Sequence, residues 1–354
     1  MEDGGPSQTA RRVAAHRLEF ARVAEDYGDP AADQALAADV AAGHRAQASR
    51  MHDYLAARTA FFDRIVTGAL GRGVRQVVVG GAGYDGRAFR YAKPGVRWFE
   101  VDHPATQRDK LRRLERLRIA ASHVRFVEAD FTRDPVADRL RASGLDPDVS
   151  TLFLLEGVAV YLEPAVLEYV LGQFRQVAAP GSRLAISVSL SRPPGDAARA
   201  RFEATVAALG EPARSTFEAG QAEALLARHG WRIAAAPEDD RPAAARRERL
   251  RTAGLLLAEA APAQRPQSPQ RPQSPGAGTS ASAPARPAPS GPRSSRSPLV
   301  TRRPCSRGSS PTRTTGAPRS ARPLPCRISR WCCTAAATPT AADVLTPAAV
   351  SAFL

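Results

Sequence analysis

Three short segments hold side chains suited to binding a nucleoside. Gly80-Gly81-Ala82-Gly83-Tyr84-Asp85-Gly86 closes an apolar run that begins at Gln76. Glycines there let the backbone turn tightly and approach a ligand closely. Asp102 follows about 20 residues on, the spacing at which a carboxylate can accept hydrogen bonds from both ribose hydroxyls. Asp130-Phe131 offers a carboxylate for the exocyclic amine of an adenine and an aromatic face for its ring. Each segment also has a plainer reading. The glycines can mark only a turn. Asp102 can cap the helix that Pro104 opens, and Asp130 can cap the segment beginning near Asp134. Gly81-x-Gly83-x-x-Gly86 also spells the dinucleotide fingerprint. The recurrence of such groups at three successive strand ends is what favours a ligand.

Those positions require a frame. Residues 7–70 read as helices, the clearest having Asp53 as a cap, Tyr54, Phe61, Phe62, Ile65 and Leu70 on one stripe, and Gly71 and Gly73 as the stop. Strands are expected at 76–80, 97–102, 125–130, 149–155 and 183–190, with helices at 104–119 and 164–178 between them. Helices follow at 197–209 and 221–229, then a sixth strand at 231–235. Residues 254–259 (GLLLAE) fit either a seventh strand or a helix end. Strands separated by helices imply parallel pairing through right-handed crossovers, and near-continuous apolar strands imply a sheet covered on both faces. Open sheets of this kind bind ligands at the carboxyl ends of their strands.

The formal net charge of +15 is unevenly placed. Residues 261–354 hold 13 Arg, no Lys and one acid, Asp343, whereas residues 1–260 hold 37 bases against 34 acids. The basic charge therefore belongs to the tail and argues little about the partner of the folded part. The four cysteines, Cys305, Cys326, Cys332 and Cys333, also lie in the tail, without C-x-x-C or zinc-ligand spacing. Apart from His103, the histidines (16, 44, 52, 123 and 229) form no helical pair, so no metal site is expected. No secretory leader is evident. No apolar run approaches the ~20 residues needed to span a bilayer. The expectation is a cytoplasmic protein with no membrane partner. Seventeen of thirty prolines fall after residue 260, so disorder is expected there. The abrupt shift fits either a natural tail or an out-of-frame translation of a G+C-rich gene.

Taken in order, TARRVAAHR (9–17), RTAFFD (58–63), QVVVGGAGYDGRAFR (76–90), FEVDHPATQRDK (99–110), FVEADF (126–131) and EGVAVYL (156–162) resemble the actinobacterial S-adenosylmethionine-dependent methyltransferases related to leucine carboxyl methyltransferase. The resemblance spans about 180 residues. It implies S-adenosyl-L-methionine as cofactor and a Rossmann-like α/β fold: a mostly parallel seven-stranded sheet with helices on both faces. The expected organisation is an N-terminal helical cover (1–74), a cofactor-binding core (75–260) and the tail (261–354). The resemblance also assigns roles. Arg58 would pair with the methionine carboxylate, Gly81 would shape the first loop, and Asp102 would bind the ribose. Asp130 and Phe131 would contact adenine, and Glu156 would lie near the methionine portion. Arg17 aligns loosely with an N-terminal basic residue. Gly86 stands where the family usually has threonine, which implies a looser loop and a lost hydroxyl contact.

The implied chemistry is in-line displacement at a sulfonium methyl, where positioning and desolvation matter most. A carboxylate acceptor needs no general base, whereas a hydroxyl acceptor does. His103 and Tyr161 are the candidates, each with a plain packing role as the stronger alternative. The acceptor, a small molecule or a peptide carboxylate, is expected to lie between the helical cover and residues 191–220. A nicotinamide-dependent oxidoreductase is the rival enzyme, because it would use the same glycines and acid. A nucleic-acid-binding protein is the rival from the tail's charge, although specific nucleic-acid binding is not expected.

Overall fold

The computed structural model describes residues 6–42, 50–191, 197–218, 220–234 and 253–262. His44, Ala235, the four cysteines and residues 263–354 lie outside the described residues, and with them the expectations about the tail.

Three helices come first: α1 (Gln8–Arg17), α2 (Pro30–Val40) and α3 (Arg50–Gly71). α1 is capped by Ser7, whose side chain accepts from the Ala10 amide, and α2 by Asp29 with Pro30 behind it. Asp53 does not cap α3 as the sequence suggested. It lies inside the first turn of a helix already running at Arg50, where an acid suits the positive end of the helix dipole.

The alternation then runs β1 (Gln76–Gly80), α4 (Arg87–Arg90), β2 (Arg97–Asp102), α5 (Pro104–Arg116), β3 (Val124–Glu128), α6 (Val136–Ala142), β4 (Thr151–Leu155), α7 (Pro164–Gln176) and β5 (Arg183–Ser187). α8 (Ala197–Ala207), α9 (Gln221–Arg228), β6 (Trp231–Ile233) and β7 (Leu255–Ala260) complete it. The sheet order is β3-β2-β1-β4-β5-β7-β6. β1 to β5 pair in parallel, while β7 runs antiparallel to both β5 and β6. GLLLAE is thus a strand, inserted between its neighbours. This is a doubly wound α/β sheet, and the strand order reverses at β1, which lies between β2 and β4. Ligands of such sheets bind in the crevice beyond that point.

Burial explains the pattern. Val77, Val79, Trp98, Leu152 and Leu154 face the layer of α2 and α3, with Leu36, Phe62 and Val66. Val78, Phe99, Val101, Phe153 and Leu155 face α6, α7 and α9, with Leu140, Phe174 and Leu226. Successive strand residues point to opposite faces, and both faces are packed, so the strands read as continuous apolar runs. The strands stop earlier than the sequence suggested. Beyond Ser187, the Val188 amide turns to the Gly254 carbonyl at 2.8 Å, and β3 ends before Asp130, which opens a hydrogen-bonded turn.

Candidate cofactor site at the carboxyl edge of the sheet

The loop after β1 is shaped by close packing. Gly81 has φ +61°, and a Cβ there would meet Val158 Cγ2 at 2.3 Å. The Gly81 and Ala82 amides both reach the Val101 carbonyl, at 2.8 and 3.2 Å. A Cβ on Gly86 would meet Asp33 Oδ1 at 1.8 Å. The looser loop expected from Gly86 is therefore not what forms: the space of the missing side chain is filled by an acid from α2.

Asp102, at the end of β2, accepts from the Gly83 amide (2.5 Å) and the His103 amide (2.6 Å), so its carboxylate ties the glycine loop to the strand. Burial raises its pKa, and the two amides partly offset that. The cap of α5 is His103, whose Nδ1 accepts from the Ala105 amide at 3.3 Å. Asp130 accepts from the Thr132 hydroxyl (2.7 Å) and amide (3.0 Å), and Arg133 reaches it at 3.2 Å. Burial pushes this carboxyl up, but the Thr132 and Arg133 contacts outweigh it and hold it down. Phe131 packs into the core with Ala159 and Val136. In this structure Asp130 and Phe131 thus serve the local turn and the core.

Arg58 and Glu156 meet each other. Arg58 Nε lies 3.0 Å from Glu156 Oε1, and the other carboxylate oxygen takes Arg87 at 2.5 Å and Arg17 at 3.1 Å. Gly157 makes room for this: it has φ +69°, and a Cβ would come within 3.0–3.1 Å of the Arg58 guanidinium. From Glu156 the charges continue inward. Arg87 bonds Asp85 (2.6 Å) and Asp63 (2.7 Å), Arg22 bonds Asp63 (2.6 Å) and Asp33 (3.0 Å), and Arg90 bonds Asp33 (2.5 Å). Burial raises the carboxyls of Glu156, Asp85 and Asp63. The surrounding guanidiniums, with Arg87 first, outweigh it and hold all three below the ordinary range, Asp85 at about 2.

Counted among the described residues, this chain joins five guanidiniums (Arg17, Arg22, Arg58, Arg87, Arg90) to four carboxylates (Asp33, Asp63, Asp85, Glu156). One positive charge is left over where charges are costly to leave unpaired. The Arg17 Nε is buried there without a hydrogen-bond partner. A ligand carboxylate at Arg17 and Arg58 would give that nitrogen a partner. Asp33, Asp63, Asp85, Arg22 and Arg87 were not singled out from sequence. Asp63, Asp85 and Arg87 nonetheless lie within the RTAFFD and GYDGRAFR stretches, although nothing in the sequence pairs them.

Tyr161 sits beside Thr9 of α1, and burial raises its pKa. His16 and His52 come together in space, Nδ1 to Nδ1 at 3.1 Å, although sequence spacing did not pair them. Among the described residues, no group of three or more His, Cys, Asp or Glu is arranged to hold a metal ion. No described helix is long and apolar enough to cross a membrane.

Comparison with known proteins gives this edge a context. The family model described as leucine carboxyl methyltransferase matches residues 10–175. A relative from Saccharopolyspora erythraea is 35% identical over 202 residues, which is 56% of this chain and 70% of that protein. One from Mycobacterium avium (strain 104) is 36% identical over 206 residues, covering 55% and 66%. One from Parafrankia sp. (strain EAN1pec) is 39% identical over 197 residues, covering 53% and 60%. All three carry the provisional name of S-adenosyl-L-methionine-dependent methyltransferase, and the chain spans less than two thirds of the latter two. A solved methyltransferase-like protein from Thermobifida fusca superposes with a TM-score of 0.46 at 19% identity, over 74% of this chain and 97% of that one. The matched segment runs from α1 through β4 and Glu156 to α7, and the chain belongs to the leucine carboxyl methyltransferase family.

Proposed function

We propose that this chain is an S-adenosyl-L-methionine-dependent methyltransferase acting on an acceptor oxygen, either a carboxylate or a hydroxyl. The observation that carries the reading is the surplus guanidinium at the β4 end, beside Gly81 and Asp102. An amino-acid nucleoside supplies a carboxylate to pair with the first and a ribose for the second. Arg58 and Arg17 would hold the carboxylate through charge-assisted bonds. Glu156, already shared among three arginines, would take the ammonium as one of them turns to the ligand. Asp102 keeps lone pairs for the ribose hydroxyls. Asp130 and Phe131 would serve adenine only if the Thr132 contacts rearrange.

The bound cofactor supplies an activated methyl group. The chain's own work is positioning and water exclusion. α1 lies over the glycine loop, with Ala10 Cβ at 3.0 Å from the position a Gly83 Cβ would take. A carboxylate acceptor arrives ionised and needs no base, which agrees with the acceptor in the family's name. His103 is engaged as a helix cap. Tyr161, half-buried next to Arg58 and Thr9, is the side chain placed to orient an acceptor.

Titration with S-adenosylhomocysteine and with NAD tests the reading, and binding of NAD alone would sink it. Asp102→Ala should weaken S-adenosylhomocysteine binding about 10- to 100-fold, the worth of hydrogen bonds to a charged group. Methyl transfer to fractionated cell extract, followed by identification of the labelled product, would then name the acceptor.

A further inference from the structure

One carboxylate ties the segment after α8 to the start of α1. Glu211 lies just past α8, where its amide bonds the Val206 carbonyl at 3.0 Å. Its side chain accepts from the Gln8 amide (2.7 Å), the Thr9 amide (3.4 Å), the Ser7 hydroxyl (3.0 Å) and, in a still shorter contact, the Thr9 hydroxyl. These donors form the first turn of α1, about two hundred residues away in sequence. A carboxylate at that turn fills orphan amides and meets the positive end of the helix dipole.

α1 is held at its other end too. Arg17, in its last turn, reaches Glu156 and Asp85 at 3.1 and 3.5 Å. Between these anchors α1 passes over Gly83, and Arg11 approaches Asp109 of α5 at 4.0 Å. The buried residues of α1 are Ala14 and Ala15, so its apolar hold on the core is slight. Its grip is therefore mostly polar. The base that carries Glu211 is by contrast firmly seated. The Arg214 amide bonds the Val160 carbonyl at 2.7 Å and the Ser215 hydroxyl bonds the Ala159 carbonyl at 2.6 Å. Phe217 is buried in the core.

We infer that Glu211 is a positioning residue that latches α1 over the cofactor, and that this latch must open for spent cofactor to leave. The inference rests on the methyltransferase reading for what lies beneath α1, but the latch can be tested without any ligand. Because Glu211 belongs to the segment after β5 and Thr9 touches Tyr161, the latch also joins the acceptor side to the cofactor side. An acceptor seated beside Tyr161 would bear on α1 directly.

Hydrogen exchange on the full chain decides the first part. In Glu211→Gln, the amides of 10–17 should exchange about 10- to 100-fold faster, the worth of lost charge-assisted bonds, while those of β1 and β4 keep their protection. Thr9→Val, which removes one of the four donors to Glu211 together with the hydroxyl's contacts to Ser7 and Tyr161, should open α1 less than Glu211→Gln, and the double variant should fall short of the sum of the two, because they share one interaction. Unchanged exchange in α1, additive effects, or an equal loss of protection across the sheet would overturn the latch. The second part is read from S-adenosylhomocysteine release by stopped flow. It should be at least about tenfold faster in Glu211→Gln and restored towards wild type in Glu211→Asp. Opened α1 with unchanged release would overturn the gate alone. Failure of the wild type to bind the probe would overturn the gate and the methyltransferase reading together, and failure of Glu211→Gln alone would overturn the gate, with the exchange result still deciding the latch.

Discussion

Asp63 shows how single side chains are committed in this molecule. It is fully buried between Arg22 and Arg87, and both of its oxygens are used. Replacing such a pair with apolar groups can be neutral, but removing one member strands the other. Asp63→Ala should therefore cost about 3–5 kcal/mol in urea unfolding. A loss below about 1 kcal/mol, the range of surface pairs, would mean the cluster is far better solvated than its burial implies. Gly157 makes a different commitment. Its left-handed backbone disfavours any side chain, and the guanidinium of Arg58 lies 3.0–3.1 Å from where a Cβ would go. Gly157→Ala should cost about 1–3 kcal/mol of strain. Because it also pushes Arg58 away, it should weaken S-adenosylhomocysteine binding more than a stability-matched change in the core, as isothermal titration would show.

At the scale of elements, β7 determines how the far half of the sheet closes. It enters between β5 and β6 against the parallel direction of the rest, and Gly254 makes the entry possible. Gly254 has φ +63°, and a Cβ would strike the Val188 carbonyl oxygen at 2.2 Å. Gly254→Ala should unseat the start of β7 and lose the Val188–Gly254 hydrogen bond. The expected result is faster amide exchange in β5 and β7 with β1 to β3 unaffected, because local opening follows contiguous cooperative units. Uniform protection across the sheet in that variant would show that β7 tolerates a different entry. The helical cover follows the opposite logic: α3 buries Phe61, Phe62, Ile65 and Val66, whereas α1 is held by ion pairs and hydrogen bonds.

For the whole molecule the buried charges set the response to pH. Asp63, Asp85 and Glu156 have folded pKa values below their unfolded ones. Their contribution is complete above about pH 4–5 and is lost as pH falls towards 2. Glu100 works the other way. Burial raises it to about 7 against the opposing pull of Lys110, so its ionisation costs stability as pH rises from 4.5. Asp102 has the same sign. Stability should peak near pH 5, with urea midpoints lower at pH 3 and at pH 7.5; a midpoint higher at pH 3 than at pH 5 would contradict the cluster's arrangement. The net charge of +15 bears on solution behaviour instead. With residues 261–354 removed it falls to +3, so any salt-dependent retention on RNA should disappear while S-adenosylhomocysteine binding persists.

Much of the frame was legible in the sequence because its signals are local. β1 and β2 begin and end where their apolar runs do, at Gln76–Gly80 and Arg97–Asp102. The prolines at 104 and 164 open helices, as a residue without an amide proton does best. Alternation of strands and helices was enough for a doubly wound sheet, and the glycine loop with Asp102 pointed to the carboxyl edge at which the cofactor is proposed to bind. What the tertiary structure alone decided is which charges meet. Arg58 and Glu156 were read as separate ligands of one cofactor, yet they bond each other across 98 positions. Gly86 read as a loosened loop, yet Asp33 of α2 fills its place. GLLLAE was equally apolar as strand or helix, and its pairing with β5 and β6 settled it. Glu211 carried no sequence signal, because its partners lie two hundred residues away and a lone acid after a helix resembles any other. Apolar periodicity is written into neighbouring residues, whereas a buried charge is defined by its partner, and only folding brings the two together.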